Sequence, residues 1–177
     1  MIPAVRVTAE DATRAQQKLF RLLRGSAKEP VVLTEAELTA FVSRSVDQQD
    51  LPFGDPLILL HDGDVVKIVG RIPLGRLLAE SPLALVAALL PDRWSWRAVW
   101  LQIATRAEFE REPRRQLRLD IRRVTLGRQR VPVSALRLLF EPARLRFVRL
   151  TLPESVVDVR IEAGRAVIRP TSSRERT

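Results

Sequence analysis

The chain has no cysteine and no tyrosine, a single histidine and only three lysines. Without cysteine there is no disulfide framework, no thiolate metal site and no thiol nucleophile, although both oxidising and reducing compartments tolerate such chains. With His61 alone and no tyrosine, few side chains are available for proton transfer near neutral pH. Seven glycines are scattered along the chain, so no glycine-rich phosphate loop is present. Ser134 and Ser155 have no histidine close in sequence and lie in no nucleophile-elbow pattern. No run approaches the roughly 20 apolar residues of a membrane-spanning helix. Met1-Ile2-Pro3-Ala4-Val5 lacks the apolar stretch of a secretion signal. These absences predict a protein that is not an enzyme and uses no cofactor and no metal.

What is abundant is apolar surface and arginine. In 177 residues, 46% are apolar, enough for one domain with its own core. The net charge of +9 is unevenly spread. Residues 1–92 carry ten basic and twelve acidic side chains, whereas residues 93–177 carry twenty basic and nine acidic ones, and all twenty are arginine. Such a half is drawn to polyanions, either nucleic acid or an anionic membrane surface. An arginine-rich codon bias with a solvated outer face is the plainer explanation.

The pattern along the chain divides at about residue 57. Residues 9–24 have helical spacing, with Thr8 as N-cap, Gly25 as the stop, and Ala12, Ala15, Leu19, Leu22 and Leu23 on one face. Thr34 and Glu37 have capping-box spacing before a second helix running to about Val46, with Leu38, Phe41 and Val42 on its buried stripe. After the loop at 47–56 the period becomes two. Residues 57–60 and 65–71 flank His61-Asp62-Gly63-Asp64, a hairpin signal. The same residues resemble a small metal cluster, but a tight turn accounts for Asp62 and Gly63 and points its neighbours apart. Pro73 and Gly75 end the ribbon. Residues 83–90 then form a short helix that is apolar all round. A long strand over 95–109 puts Val99, Leu101, Ile103, Ala107 and Phe109 on one face and Trp96, Trp100, Gln102, Arg106 and Glu108 on the other. In the next strand Leu117, Leu119 and Ile121 alternate with charge. The phase then slips at Arg122-Arg123 before Val124 and Leu126, as a β-bulge requires. A short helix over 131–140, a second phase slip at Phe147-Val148, and a closing hairpin turning at Ala163-Gly164 complete the pattern. Its strand carries Val157, Val159 and Ile161 on one face.

Hairpins without strand–helix–strand crossovers predict an α+β fold, a bent antiparallel β-sheet wrapped on or packed against helices. The expected organisation is an N-terminal amphipathic helix (1–30), a single α+β domain (31–170) and a polar tail (171–177). Residues 57–60 and 83–90 and the tryptophan face are apolar where one covered sheet face would not require it. Such surface is ordinary core, a subunit interface, or a groove for an apolar ligand.

Four stretches, taken in order, carry a resemblance: 32–38 (VLTEAEL), 64–74 (DVVKIVGRIPL), 124–132 (VTLGRQRVP) and 152–168, beginning LPESV. This order resembles one-domain bacterial envelope proteins of the tubular lipid-binding type. The resemblance implies a bent sheet around a helix with an apolar channel, and a bacterial envelope or periplasmic location, although this chain shows no signal peptide. It carries over no ligand residues.

The expected function is therefore non-enzymatic binding of a lipid or other apolar small molecule in a groove between helix and sheet. Leu83, Leu85, Val86, Leu89, Trp96 and Trp100 would line it. Arg93, Arg97, Arg118 and Arg122 would hold an anionic headgroup or membrane surface. The alternative is a basic nucleic-acid-binding or scaffold domain using the C-terminal arginines. It lacks the aromatic residues interleaved with cations that single-strand binders use.

Overall fold

The computed structural model describes residues 7–48, 53–79, 97–111, 115–132 and 149–171. These form an α+β fold whose strands pair antiparallel. In order, they are α1 (Ala9–Leu23), β1 (Val31–Thr34), α2 (Glu35–Gln48), β2 (Gly54–His61), β3 (Val65–Pro73), α3 (Leu74–Ala79), β4 (Ala98–Glu110), β5 (Gln116–Leu126), β6 (Gln129–Val131), β7 (Arg149–Thr151), β8 (Val156–Glu162) and β9 (Arg165–Pro170). A six-stranded sheet runs β2-β3-β4-β5-β6, with β7 also paired to β5, and a three-stranded sheet runs β1-β9-β8.

The helix ends form as their caps dictate. Thr8 and Asp11 make a reciprocal capping box at α1, and Gly25 follows the helix at φ +64°. Hydrogen bonds from Thr8 hold the Asp11 carboxyl below the usual carboxylate range, helped by nearby Arg14. Ala12, Ala15 and Leu22 are buried and Leu19 packs beside them. Leu23, expected on that face, is instead 64% exposed, because one residue after buried Leu22 it lies about 100° further round the helix. At α2 the second capping box closes as its spacing predicts: Thr34 N–H donates to Glu37 Oε2 at 3.0 Å and Glu37 N–H donates to Thr34 Oγ1 at 3.2 Å. Leu38, Phe41 and Val42 pack half-buried on the core.

Glu37 does more than cap. Its carboxylate is buried and accepts two hydrogen bonds from Lys18 Nζ, at 2.7 and 2.8 Å, while the same ammonium donates to Val32 O at 2.7 Å. One of the three lysines thus clamps α1 to the β1–α2 junction, with its charge matched and most of its donors used.

Free strand edges are answered by side chains. Leu60 N–H donates to Glu35 Oε1 at 2.6 Å and Ile58 N–H to Thr39 Oγ1 at 2.9 Å. Two acceptors four apart on α2 therefore serve two donors two apart on β2, closing that edge to other strands. The turn after β2 closes the edge of β8 in the same way. Asp64 Oδ1 accepts from Ile161 N–H and Asp62 Oδ1 from Ala163 N–H, both at 3.0 Å. Gly63 and Asp64 adopt φ +75° and +60° in this turn. The carboxylates read from sequence as a metal-like cluster are thus engaged with backbone, and no metal-holding group occurs among the described residues.

One apolar sheet face runs through Ile58, Leu60, Val66, Ile68, Ile72, Leu101, Ile103, Ala107, Leu119, Val124 and Leu126. β5 keeps its side chains on that face across the expected bulge. Ala104 pairs with Arg123 and Thr105 with Ile121, so Arg122 is the extra residue. The bulge separates two clusters. Ala107 and Leu119 pack with α1, α2 and the small sheet, whereas Ile103 and Val124 pack with Ile72 and Leu101.

Three expectations are corrected. The stretch 127–131 is a hairpin rather than a strand-to-helix step, with Gly127 at φ +60° and Val131 in β6 pairing with Val124. In β8 a register shift between Val156 and Asp158 puts Val156, not Val157, fully into the core. The third is the exposed Leu23 of α1; the ribbon, by contrast, ends at Pro73 as expected, and α3 starts at the next residue. The expected helix over 83–90, most of that over 131–140, and the slip at 147–148 lie outside the described residues.

Two measurements test this reading. Lys18→Met should cost about 3 kcal/mol in chemical denaturation, because it strands a buried carboxylate. The double variant Lys18→Met/Glu37→Gln should recover much of that loss, since a glutamine still completes the capping box. Deleting Arg122 removes the bulge but leaves Leu117, Leu119, Ile121, Val124 and Leu126 in strict alternation, so the chain should still fold. Deleting Asp120 also leaves Leu117, Leu119, Val124 and Leu126 in phase, but it turns Ile121 outward and puts Arg122 on the apolar face in its place, which should cost at least ~3 kcal/mol. Equal losses for the two deletions would show that Arg122 is not an inserted residue.

Candidate functional site

The half of the apolar face beyond the bulge differs from the half beneath the helices. Its buried residues are Ile72, Leu101, Ile103 and Val124, and no residue of α1 or α2 belongs to this cluster. The described side chains around it are half-buried: Phe53, Leu74, Val99, Ile121, Leu126 and Val131 among them. The far end of the Phe53 ring lies against Gly70, where an added Cβ would collide with Cζ. A glycine within a strand is the sequence signal of such a close approach, and it was not read from the pattern.

The opposite face is graded. On β2 and β3, Leu59 and Val69 are buried, so with Ile58 and Leu60 this ribbon is removed from solvent on both sides. The continuous apolar run at 57–60 is explained by that double burial. On β4, Trp100 is half-buried and stands on the face away from Val99, Leu101 and Ile103, as its alternation predicts. Its ring carries the Arg71 guanidinium 4.8 Å from its centroid, and Arg71 in turn lies 3.6 Å from Asp55. Towards β5 and β6 the face becomes cationic. Arg123 stands opposite Ala104 and Arg130 opposite Thr125.

Of the expected apolar lining, only Trp100 is described; Leu83, Leu85, Val86, Leu89 and Trp96 lie outside the described residues, as does Arg93. Arg97 is exposed just before β4, and its carbonyl accepts from Leu74 N–H at 3.0 Å. Arg118 and Arg122, four apart in sequence, have unlike surroundings. Arg118 is held between Glu110 and Asp120, at 3.3 and 2.8 Å, and these partners raise its pKa above the usual arginine value. Its charge is matched at home, which makes it a poor headgroup ligand. Arg122 is exposed at the bulge, and Arg123, Arg128 and Arg130 are exposed beside it. Strict alternation of charge along β5 does not distinguish these two kinds of arginine, because the difference comes from cross-strand carboxylates.

A depression over the first turns of α1, lined by Ala9, Glu10, Thr13, Arg14 and Gln17, is open to solvent and holds none of the expected site residues. Comparison with known protein families, curated proteins and solved structures finds no match.

The packing of Phe53 on Gly70 makes a prediction. Gly70→Ala should displace the ring and cost about 1–3 kcal/mol in thermal or chemical denaturation, as overpacking does. Gly70→Ala combined with Phe53→Leu should lose less than Gly70→Ala alone. An unchanged midpoint for Gly70→Ala would mean that the ring does not rest there.

Proposed function

We propose that this protein binds a lipid or another apolar small molecule, without chemistry, along the half of its sheet face that lies beyond the Arg122 bulge. One observation carries the reading. The apolar face continues past α1 and α2, and among the described residues four buried side chains are bordered there by half-buried aliphatic and aromatic ones, Leu74 of α3 included. Apolar surface of that continuity gains free energy when a hydrocarbon covers it, at about 25 cal/mol per Å². A mainly apolar concavity with few polar groups is the usual form of such a site. The order of motifs, which resembles tubular lipid-binding proteins, points the same way.

Leu126 and Val131 are half-buried members of this surface, so charge there should disturb a ligand more than it disturbs the core. A solvatochromic fatty-acid probe should bind the wild type at micromolar concentration. Leu126→Glu and Val131→Glu should each weaken it at least ~10-fold, the equivalent of about 1.4 kcal/mol, with a small change in melting temperature. Leu23→Glu, on the exposed side of α1, should change neither. Absence of probe binding by the folded wild type would mean that this surface is ordinary core.

A further inference from the structure

We infer that the β5–β6 hairpin is a membrane-docking rim, whose arginines engage the phosphates of an anionic bilayer beside the apolar surface; the inference rests on the reading above. Arg122, Arg123, Arg128 and Arg130 fall within nine residues and are all exposed. No ion pair or hydrogen bond joins their side chains to any described residue. Arg106, Arg149 and Arg169 are likewise exposed without a carboxylate partner among the described residues, but they lie on three different strands, so the density of such arginines is what marks the hairpin. Arg118, Arg160 and Arg165 each sit against a carboxylate, at 2.8, 3.1 and 2.7 Å, and Arg71 lies within 4 Å of Asp55. The cross-strand neighbours of the two ladder arginines are Ala104 and Thr125, neither of which can neutralise them.

The same hairpin is two-sided. Its arginines are exposed, while Ile121, Val124, Leu126 and Val131 belong to the cluster beyond the bulge. Arg123 and Arg130 stand on the face opposite those apolar residues, so an amphiphile with its chain along the apolar side would place its head at the hairpin turn beside Arg128, where guanidinium groups from the turn and the cationic face can hold phosphate oxygens. Four cations near an anionic leaflet raise partitioning on the order of a hundredfold or more. Single-stranded nucleic acid is the less suitable partner. Residues 116–131 contain no aromatic side chain on which bases could stack, and the Trp100 ring already carries Arg71.

The test is flotation of the full chain with phosphatidylcholine vesicles, with and without phosphatidylglycerol. The wild type should bind the anionic vesicles alone and release them as salt rises, because exposed charges are screened within about 8 Å at physiological ionic strength. The quadruple variant R122Q/R123Q/R128Q/R130Q should lose about a hundredfold in vesicle affinity. The pair R160Q/R165Q, which removes arginines already matched by carboxylates, should lose less than about threefold. The corresponding quadruple lysine variant should keep most of the binding, which separates charge from folding. The quadruple glutamine variant should still take up the fatty-acid probe in solution. Failure of the wild type to bind the probe would sink the apolar-ligand reading, whereas the vesicle results judge the rim. Equal binding to both kinds of vesicle, or vesicle binding by the glutamine variant at wild-type level, would overturn the rim. So would tighter binding to an oligonucleotide than to anionic vesicles at physiological salt, which would make the hairpin a nucleic-acid surface.

Discussion

A single inserted residue, Arg122, organises the large sheet. β5 has to keep Leu119 and Val124 on the same side of the sheet although they are five positions apart, an odd separation that strict alternation forbids. The extra residue between Ile121 and Arg123 resolves the conflict, and the local twist that accompanies a bulge bends the ribbon there. On one side of the bend the sheet meets α1, α2 and the small sheet. On the other its apolar side chains belong to a separate cluster that the two helices do not enter.

The first half is closed by specific polar contacts. Lys18 and Glu37 fix α1 to the start of α2, and Glu35 and Thr39 hold α2 along the edge of β2. Asp62 and Asp64 fasten the β2–β3 turn to β8. Lys18 donates to a buried carboxylate, and the other side chains accept from donors that would otherwise be buried or would expose a strand edge; an unmet buried group of this kind costs about 1–3 kcal/mol. The polar groups of this half are therefore spent on holding it together.

The second half keeps its chemistry uncommitted. Its described side chains on one face are apolar and buried or half-buried, and its hairpin carries arginines that no carboxylate among the described residues answers. The proposed binding of an amphiphile rests on this pairing of apolar surface with positive charge. The contrast with Arg118 shows how the division arises. Glu110 and Asp120 neutralise that arginine across and along the ladder, whereas Arg123 and Arg130 face an alanine and a threonine.

Much of this was legible before any coordinates. Local signals determined the α+β class, the N-cap at Thr8, the capping box at Thr34, the turns at Gly63 and Gly164 and the bulge at Arg122-Arg123, because caps, tight turns and period-two alternation depend on residues a few positions apart. Only the tertiary structure decided the rest. The pairing of β1 with β9, the placing of Val156 rather than Val157 in the core, and the hairpin in place of a helix start at Val131 depend on partners distant in sequence or on local backbone choices that the pattern leaves open. The same holds for the arginines. Sequence shows that they are there, but whether each one is neutralised depends on what stands opposite it in the ladder, and register is fixed by the fold as a whole.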